Sequence, residues 1–127
     1  MKKVIYTKKA PAAVGPYSQA VEANGMLFIS GQIAIDPETG TIVEGGIREQ
    51  TLQVMANIGA ILDEAGYYFS DVVKSTCLLS DISNFAAMNE IYGRHYLQNP
   101  PARAAFAVKD LPLGALVEIE TIAVKKI

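Results

Sequence analysis

The sequence predicts an α+β protein, a mixed β-sheet with two helices packed on one of its faces. Two stretches with helical hydrophobic spacing, beginning near Ile47 and Phe85, stand among short strand-like runs. Tight-turn signals link the runs at both ends of the chain, and the helical stretches link those in the middle. Tight turns suit antiparallel neighbours and helical crossovers suit parallel ones, so the sheet is expected to be mixed. At 127 residues the chain is long enough for one core and too short for two, so residues 1–127 are read as one domain.

A short strand is predicted around Lys3 to Tyr6. The loop Gly15-Pro16-Tyr17-Ser18 follows, in which Pro16 stiffens the approach to Tyr17. Tyr17 reads either as a packing aromatic or as a substrate contact. Gln19 to Ala23 and Met26 to Ser30 flank Asn24-Gly25, a dipeptide suited to a type I′ turn, and form a hairpin. Its second strand closes at Ser30-Gly31-Gln32, where a hydroxyl beside a glycine lets a ligand approach the backbone closely. Ser30 also fits ordinary strand-end punctuation. Ile33 to Ile35 are expected to continue the strand up to a turn at Asp36 to Gly40.

Ile47, Thr51, Val54, Met55, Ile58, Ile61, Leu62 and Ala65 predict an amphipathic helix of about five turns, stopped by Gly66. Arg48, Gln53, Asn57 and Asp63 are read as its solvated face. Val72 to Leu79 is strand-like and carries Cys77, expected to be a buried, inert thiol because no nearby histidine activates it. Asp81 or Ser83 can cap a second helix with Phe85, Met88, Ile91, Tyr92 and His95 or Tyr96 on one face. Asn89 on this helix either presents its amide to a site or lies exposed.

Pro100-Pro101 hold the backbone extended ahead of Arg103, which heads the strand-like run Ala104 to Val108. After a turn at Leu111 to Gly114, a last strand from Ala115 to Val124 places Glu118 and Glu120 on one face with Leu116, Ile122 and Val124. Val117, Ile119, Thr121 and Ala123 occupy the other, so the strand is expected to be covered on both sides. Carboxylates there need partners, and Arg103 is the evident one in sequence. The two read either as a structural ion pair or as a small-anion site. In the second reading the arginine grips a substrate carboxylate and a glutamate of raised pKa handles a proton.

Composition excludes several classes. A net charge of −2 with scattered lysines and arginines, paired only at Lys2-Lys3, Lys8-Lys9 and Lys125-Lys126, offers no nucleic-acid stripe. With one histidine, His95, and one cysteine, no metal site of the usual zinc kinds is expected, and no intrachain disulfide can form. No run approaches the ~20 apolar residues of a membrane span and no signal-peptide core follows Lys2-Lys3, so a cytoplasmic location is expected. Both helices are expected on one face, and several strands carry apolar residues on both faces with no third helix to cover the other. Further copies of the chain are expected to cover the second face, most simply in a closed ring.

Several stretches together resemble one family: Ala10-Pro11-Ala12-Ala13-Val14-Gly15-Pro16-Tyr17-Ser18-Gln19, Ser30-Gly31-Gln32, Asn89-Glu90-Ile91-Tyr92, Pro101-Ala102-Arg103 and Val117-Glu118-Ile119-Glu120. In order and spacing the chain is similar to the RidA/YjgF family over essentially its whole length. The resemblance implies a chorismate-mutase-like fold assembled as a homotrimer with clefts between subunits. It implies deamination of 2-iminopropanoate and 2-iminobutanoate, released by pyridoxal-phosphate dehydratases, to 2-oxo acids and ammonia, with no cofactor. It also implies that Arg103 grips the substrate carboxylate and that Glu118 orients or activates water. Tyr17, Ser30, Gly31 and Asn89 would line the cleft, and Glu120 would be structural.

Many members carry a cysteine at the position of Ala105, which here leaves substrate preference open. Water addition to an imine needs an oriented water, a proton acceptor and charge stabilisation, none of which demands a thiol. A ligand-sensing trimer that binds a 2-oxo acid without turnover is the alternative. Ribonuclease activity, attributed to some members, is disfavoured by the acidic balance.

Overall fold

The computed structural model describes residues 1–125, so Lys126 of the Lys125-Lys126 pair lies outside the described residues. Strands β1 (Lys3–Ile5), β2 (Ala20–Ala23), β3 (Met26–Gln32), β4 (Val72–Leu79), β5 (Ala102–Ala107) and β6 (Val117–Val124) form one six-stranded sheet with helices α1 (Ile47–Ala65) and α2 (Phe85–Gly93). The strand order is β1-β2-β3-β6-β4-β5. Only β4 and β5, joined by α2, run parallel. The α1 crossover joins β3 to β4, which share a direction but are separated by β6, to which both are antiparallel.

The β2–β3 turn has Asn24 at φ 51° and Gly25 at φ 72°, the left-handed pair that a type I′ hairpin needs. α1 begins where the Glu49 carboxylate accepts the Gly46 N–H at 2.8 Å and ends where Gly66 turns left-handed at φ 80°. Its stripe of Val54, Met55, Ile58, Ile61 and Leu62 is fully buried in the cluster formed with Leu27, Ile29, Val117, Ile119 and Ala123 of the sheet. Each such side chain contributes about 1.5–3 kcal/mol relative to exposure. The bidentate Arg48–Glu90 pair, at 3.0 and 2.9 Å, ties α1 to α2 and holds the Glu90 carboxyl down at about 2.

Three expectations need correction. β3 does not run on through Ile33 to Ile35. It ends at Gln32, and Ile35 makes a lone bridge to Ile42. Asn57 is not solvated but wholly buried, and its amide donates to the Ile33 and Ile35 carbonyls at 3.3 and 3.0 Å. Those carbonyls have left the ladder, and a buried backbone acceptor must be paired.

β6 starts at Val117 and not Ala115, because Pro112–Gly114 forms a 3-10 turn and the Leu116 N–H is taken by the Gln50 side chain at 2.9 Å. In the single chain β6 is covered on one side, as expected of a sheet whose second face is left to further copies of the chain. Val117, Ile119, Thr121 and Ala123 are buried under the helices, while Glu120 and Val124 are exposed on the other face. No helix among the described residues is long and apolar enough to cross a membrane.

Candidate active site

On the open face of the sheet, β3 carries a bulge between Ile29 and Gln32, so that Ser30 and Gly31 together oppose β6. The bulge is fastened to the preceding loop. The Ser30 N–H donates to the Gln19 carbonyl at 3.0 Å and its hydroxyl to the Ser18 carbonyl at 2.6 Å. Gln19 shapes the loop in turn, accepting the Thr7 N–H at 2.8 Å and donating to the Thr7 and Pro11 carbonyls at 3.0 and 2.8 Å. Nothing in the sequence reading assigned Gln19 this role. Its signal was a long amide at the entry to an otherwise apolar strand. Tyr17, held by its N–H to the Gly15 carbonyl at 2.9 Å, stands half-exposed. With Ser30, Phe28 and Glu120 it lines an open groove of about 520 Å³.

Glu118 projects from β6 onto this face and lies across Gly31. A β-carbon there would stand 2.9 Å from the carboxyl carbon of Glu118 and closer still to one oxygen. The absent side chain is what lets the carboxylate lie against the bulge. Burial, and after it the charge of Glu120, push the Glu118 carboxyl above its ordinary 4.5. Glu118 thus lies against the Ser30-Gly31 bulge, while the groove that Tyr17 and Ser30 line has Glu120 and not Glu118 in its wall.

Arg103 lies elsewhere. β5 is the edge of the sheet, and Arg103 points to the helix side, where its Nη1 donates to the side-chain oxygen Oδ1 of Asn89 at 2.7 Å. The guanidinium carbon lies 5.0 Å from the Tyr92 ring centroid and 5.5 Å from that of Phe85. Ala105 shares this side of β5, opposite Cys77 of β4, and packs against the core. Cys77 is fully buried, and burial lifts its thiol to about 11. The sequence points to Asn89 here, but its helical spacing marks Phe85 and Tyr92 only as packing residues.

Arg103 is therefore not the in-chain partner of Glu118. Arg103 is level with Ser75 of β4, and Glu118 with Leu78. With β4 between their strands and three residues of stagger, their Cα atoms lie roughly 14 Å apart. Their side chains leave opposite faces, as alternation along β6 and the α2 contacts of Arg103 require. Among the described residues no three His, Cys, Asp or Glu side chains gather where a metal could be held.

Residues 7–125 match the family described as endoribonuclease L-PSP. The chain belongs to that family, the RidA/YjgF family of the sequence resemblance. Within it, the chain is 50% identical over 125 residues to the 2-iminobutanoate/2-iminopropanoate deaminase of Mus musculus, covering 98% of this chain and 93% of the mouse protein. It is 53% identical over 126 residues to a RutC family protein of Pyrococcus horikoshii, covering 99% and 100% of the two chains. A solved Rid-family structure from Yersinia pestis, of unknown function, superposes with a TM-score of 0.95 at 49% identity, covering 98% of this chain and 99% of that one. The mixed sheet with two helices is the RidA fold.

Proposed function

We propose that this chain is an enamine/imine deaminase that hydrolyses 2-iminopropanoate and 2-iminobutanoate to the 2-oxo acids and ammonia. The observation that carries the reading is the division of the site. A forked cation stands at the sheet edge on one side, and a carboxylate of raised pKa rests on an exposed half-apolar face on the other. Neither completes a site alone. When copies of the chain close into a trimer and cover the open faces, Arg103 of one copy meets Glu118, Tyr17 and Ser30 of its neighbour in the cleft between them.

There the guanidinium binds the substrate carboxylate through two parallel N–H bonds. Glu118 accepts a proton from water as its oxygen attacks the imine carbon, and a raised pKa makes it the better acceptor near neutral pH. Glu118 passes that proton to the nitrogen and then carries the hydroxyl proton there as well, so that collapse of the carbinolamine expels ammonia and leaves the 2-oxo acid. Tyr17, Ser30, Gly31, Asn89 and Ala105 shape the cleft. The mouse relative at 50% identity, named for this reaction, supports the assignment. The net charge of −2 and the lack of a basic stripe favour a small substrate over RNA.

The test couples a threonine or serine dehydratase to the protein and follows 2-oxo acid release. Wild type accelerates it and Arg103→Ala does not, while gel filtration with light scattering gives the same trimer for both. No acceleration by wild type, with 2-oxobutanoate still bound, transfers the assignment to a ligand-sensing trimer.

A further inference from the structure

Arg103 is held without an opposing charge. Among the described residues it makes no ion pair, and its one side-chain hydrogen bond goes to the neutral amide oxygen of Asn89. A guanidinium has five N–H donors in one plane, so four are left over. Two aromatic rings flank it, Tyr92 at 5.0 Å and Phe85 at 5.5 Å from the guanidinium carbon. Phe85, Asn89 and Tyr92 follow one another at i, i+4 and i+7, one stripe of α2 turned toward β5. The Tyr92 hydroxyl is buried and makes no hydrogen bond to Arg103, so the ring and not the phenol is what this residue offers the arginine.

We propose that Phe85 and Tyr92 are positioning residues, an aromatic clamp that fixes the guanidinium and keeps its in-plane N–H edge free for a planar carboxylate. The physical reason lies in what each kind of partner occupies. A carboxylate from the chain would use the same in-plane donors that a substrate needs and would have to be displaced. A ring attracts the cation through its π surface and takes no donor. Asn89 consumes one N–H and fixes rotation within the plane. The fork is thereby ordered before substrate arrives, which lowers the entropy lost on binding. The clamp favours a flat carboxylate, as 2-imino and 2-oxo acids carry, because both carboxylate oxygens must lie in the plane that the guanidinium defines.

This inference deepens the deaminase reading and rests on it for the identity of the ligand, so its test includes a readout that needs no ligand. In the assembled protein, the Arg103 Nε–H resonance, assigned by its loss in Arg103→Ala, is followed in wild type, Phe85→Leu, Tyr92→Leu and Tyr92→Phe. The clamp shifts and restrains this signal in wild type. Phe85→Leu, at a partly buried position, returns it toward free arginine. The same variants are titrated with 2-oxobutanoate and assayed with the coupled dehydratase.

Phe85→Leu is expected to weaken 2-oxobutanoate binding and raise KM by roughly three- to thirtyfold, with kcat within about twofold. Tyr92→Phe, which keeps the ring, restores the binding that Tyr92→Leu loses. If Tyr92→Leu does not fold, Phe85→Leu carries the test alone. An unchanged resonance and unchanged affinity in Phe85→Leu overturn the clamp. A restrained resonance in wild type that binds no 2-oxobutanoate overturns the carboxylate reading and leaves the clamp standing.

Discussion

The Glu118 carboxylate rests on Gly31 so closely that a β-carbon there would meet its carboxyl carbon at 2.9 Å. What it would strike is the far end of a flexible side chain, and the glycine's own φ is not in the left-handed region. Alanine at this position should leave the fold alone and move the carboxylate. Displacing a reacting group by an ångström costs up to about 100-fold in rate. Gly31→Ala is therefore expected to lose roughly 10- to 100-fold in kcat in the coupled dehydratase assay, with a melting temperature close to that of wild type.

Stability should carry the signature of the raised Glu118 pKa. A carboxyl whose folded pKa lies above its unfolded one binds its proton more tightly in the native state. Its favourable contribution is present at low pH and is lost as pH rises through the folded value. Glu118→Gln, a permanent mimic of the neutral form, should melt with wild type near about pH 4 and above it near about pH 8. Thermal melts of both proteins across that range check this. A gap that shrinks as pH rises would mean that a cation reaches Glu118 in the assembly and reverses the shift.

Because Arg103 and Glu118 leave opposite faces of the same sheet, two inactive variants should complement each other. Arg103→Ala retains Glu118, and Glu118→Gln retains Arg103. After the two are mixed in equal amounts, dissociated and reassembled, a site between copies draws one intact residue from each in about one case in four. Activity near about one quarter of wild type is expected. A mixture as inactive as its components would mean that both residues act within one chain.

Beneath the sheet, Thr121 is buried and its hydroxyl has no partner among the described residues. An unpaired buried hydroxyl is destabilising, and valine has nearly the same shape without it. Thr121→Val is expected to raise unfolding stability by about 1 kcal/mol in urea titrations, with the slope unchanged.

Elements with a strong local signature were legible in the sequence. The α1 stripe, the Asn24-Gly25 hairpin and the two helices on one face follow from periodicity and turn chemistry, and all are present. What went wrong involved pairing at a distance. Reading Arg103 and Glu118 as partners assumed that β5 and β6 are neighbours, as strands close in sequence usually are. The insertion of β4 between them depends on which edges meet, which no local pattern records. Asn57 was read as solvated because it lies off the apolar stripe, yet the chain leaving β3 folds over that side of α1 and needs a donor there. Gln19 and the rings of Phe85 and Tyr92 were hidden for the same reason, since each acts on residues far off in the chain.

Cys77 is the only cysteine of the chain, it is sealed in the core, and its thiol stays protonated at neutral pH. Position 105, two residues after the arginine, holds a methyl group. The folded protein therefore presents no cysteine thiolate to peroxide, to glutathione disulfide or to an alkylating drug. Met55 and Met88 are equally enclosed. Oxidative stress, which disables many enzymes by capping an exposed cysteine, finds no such handle here.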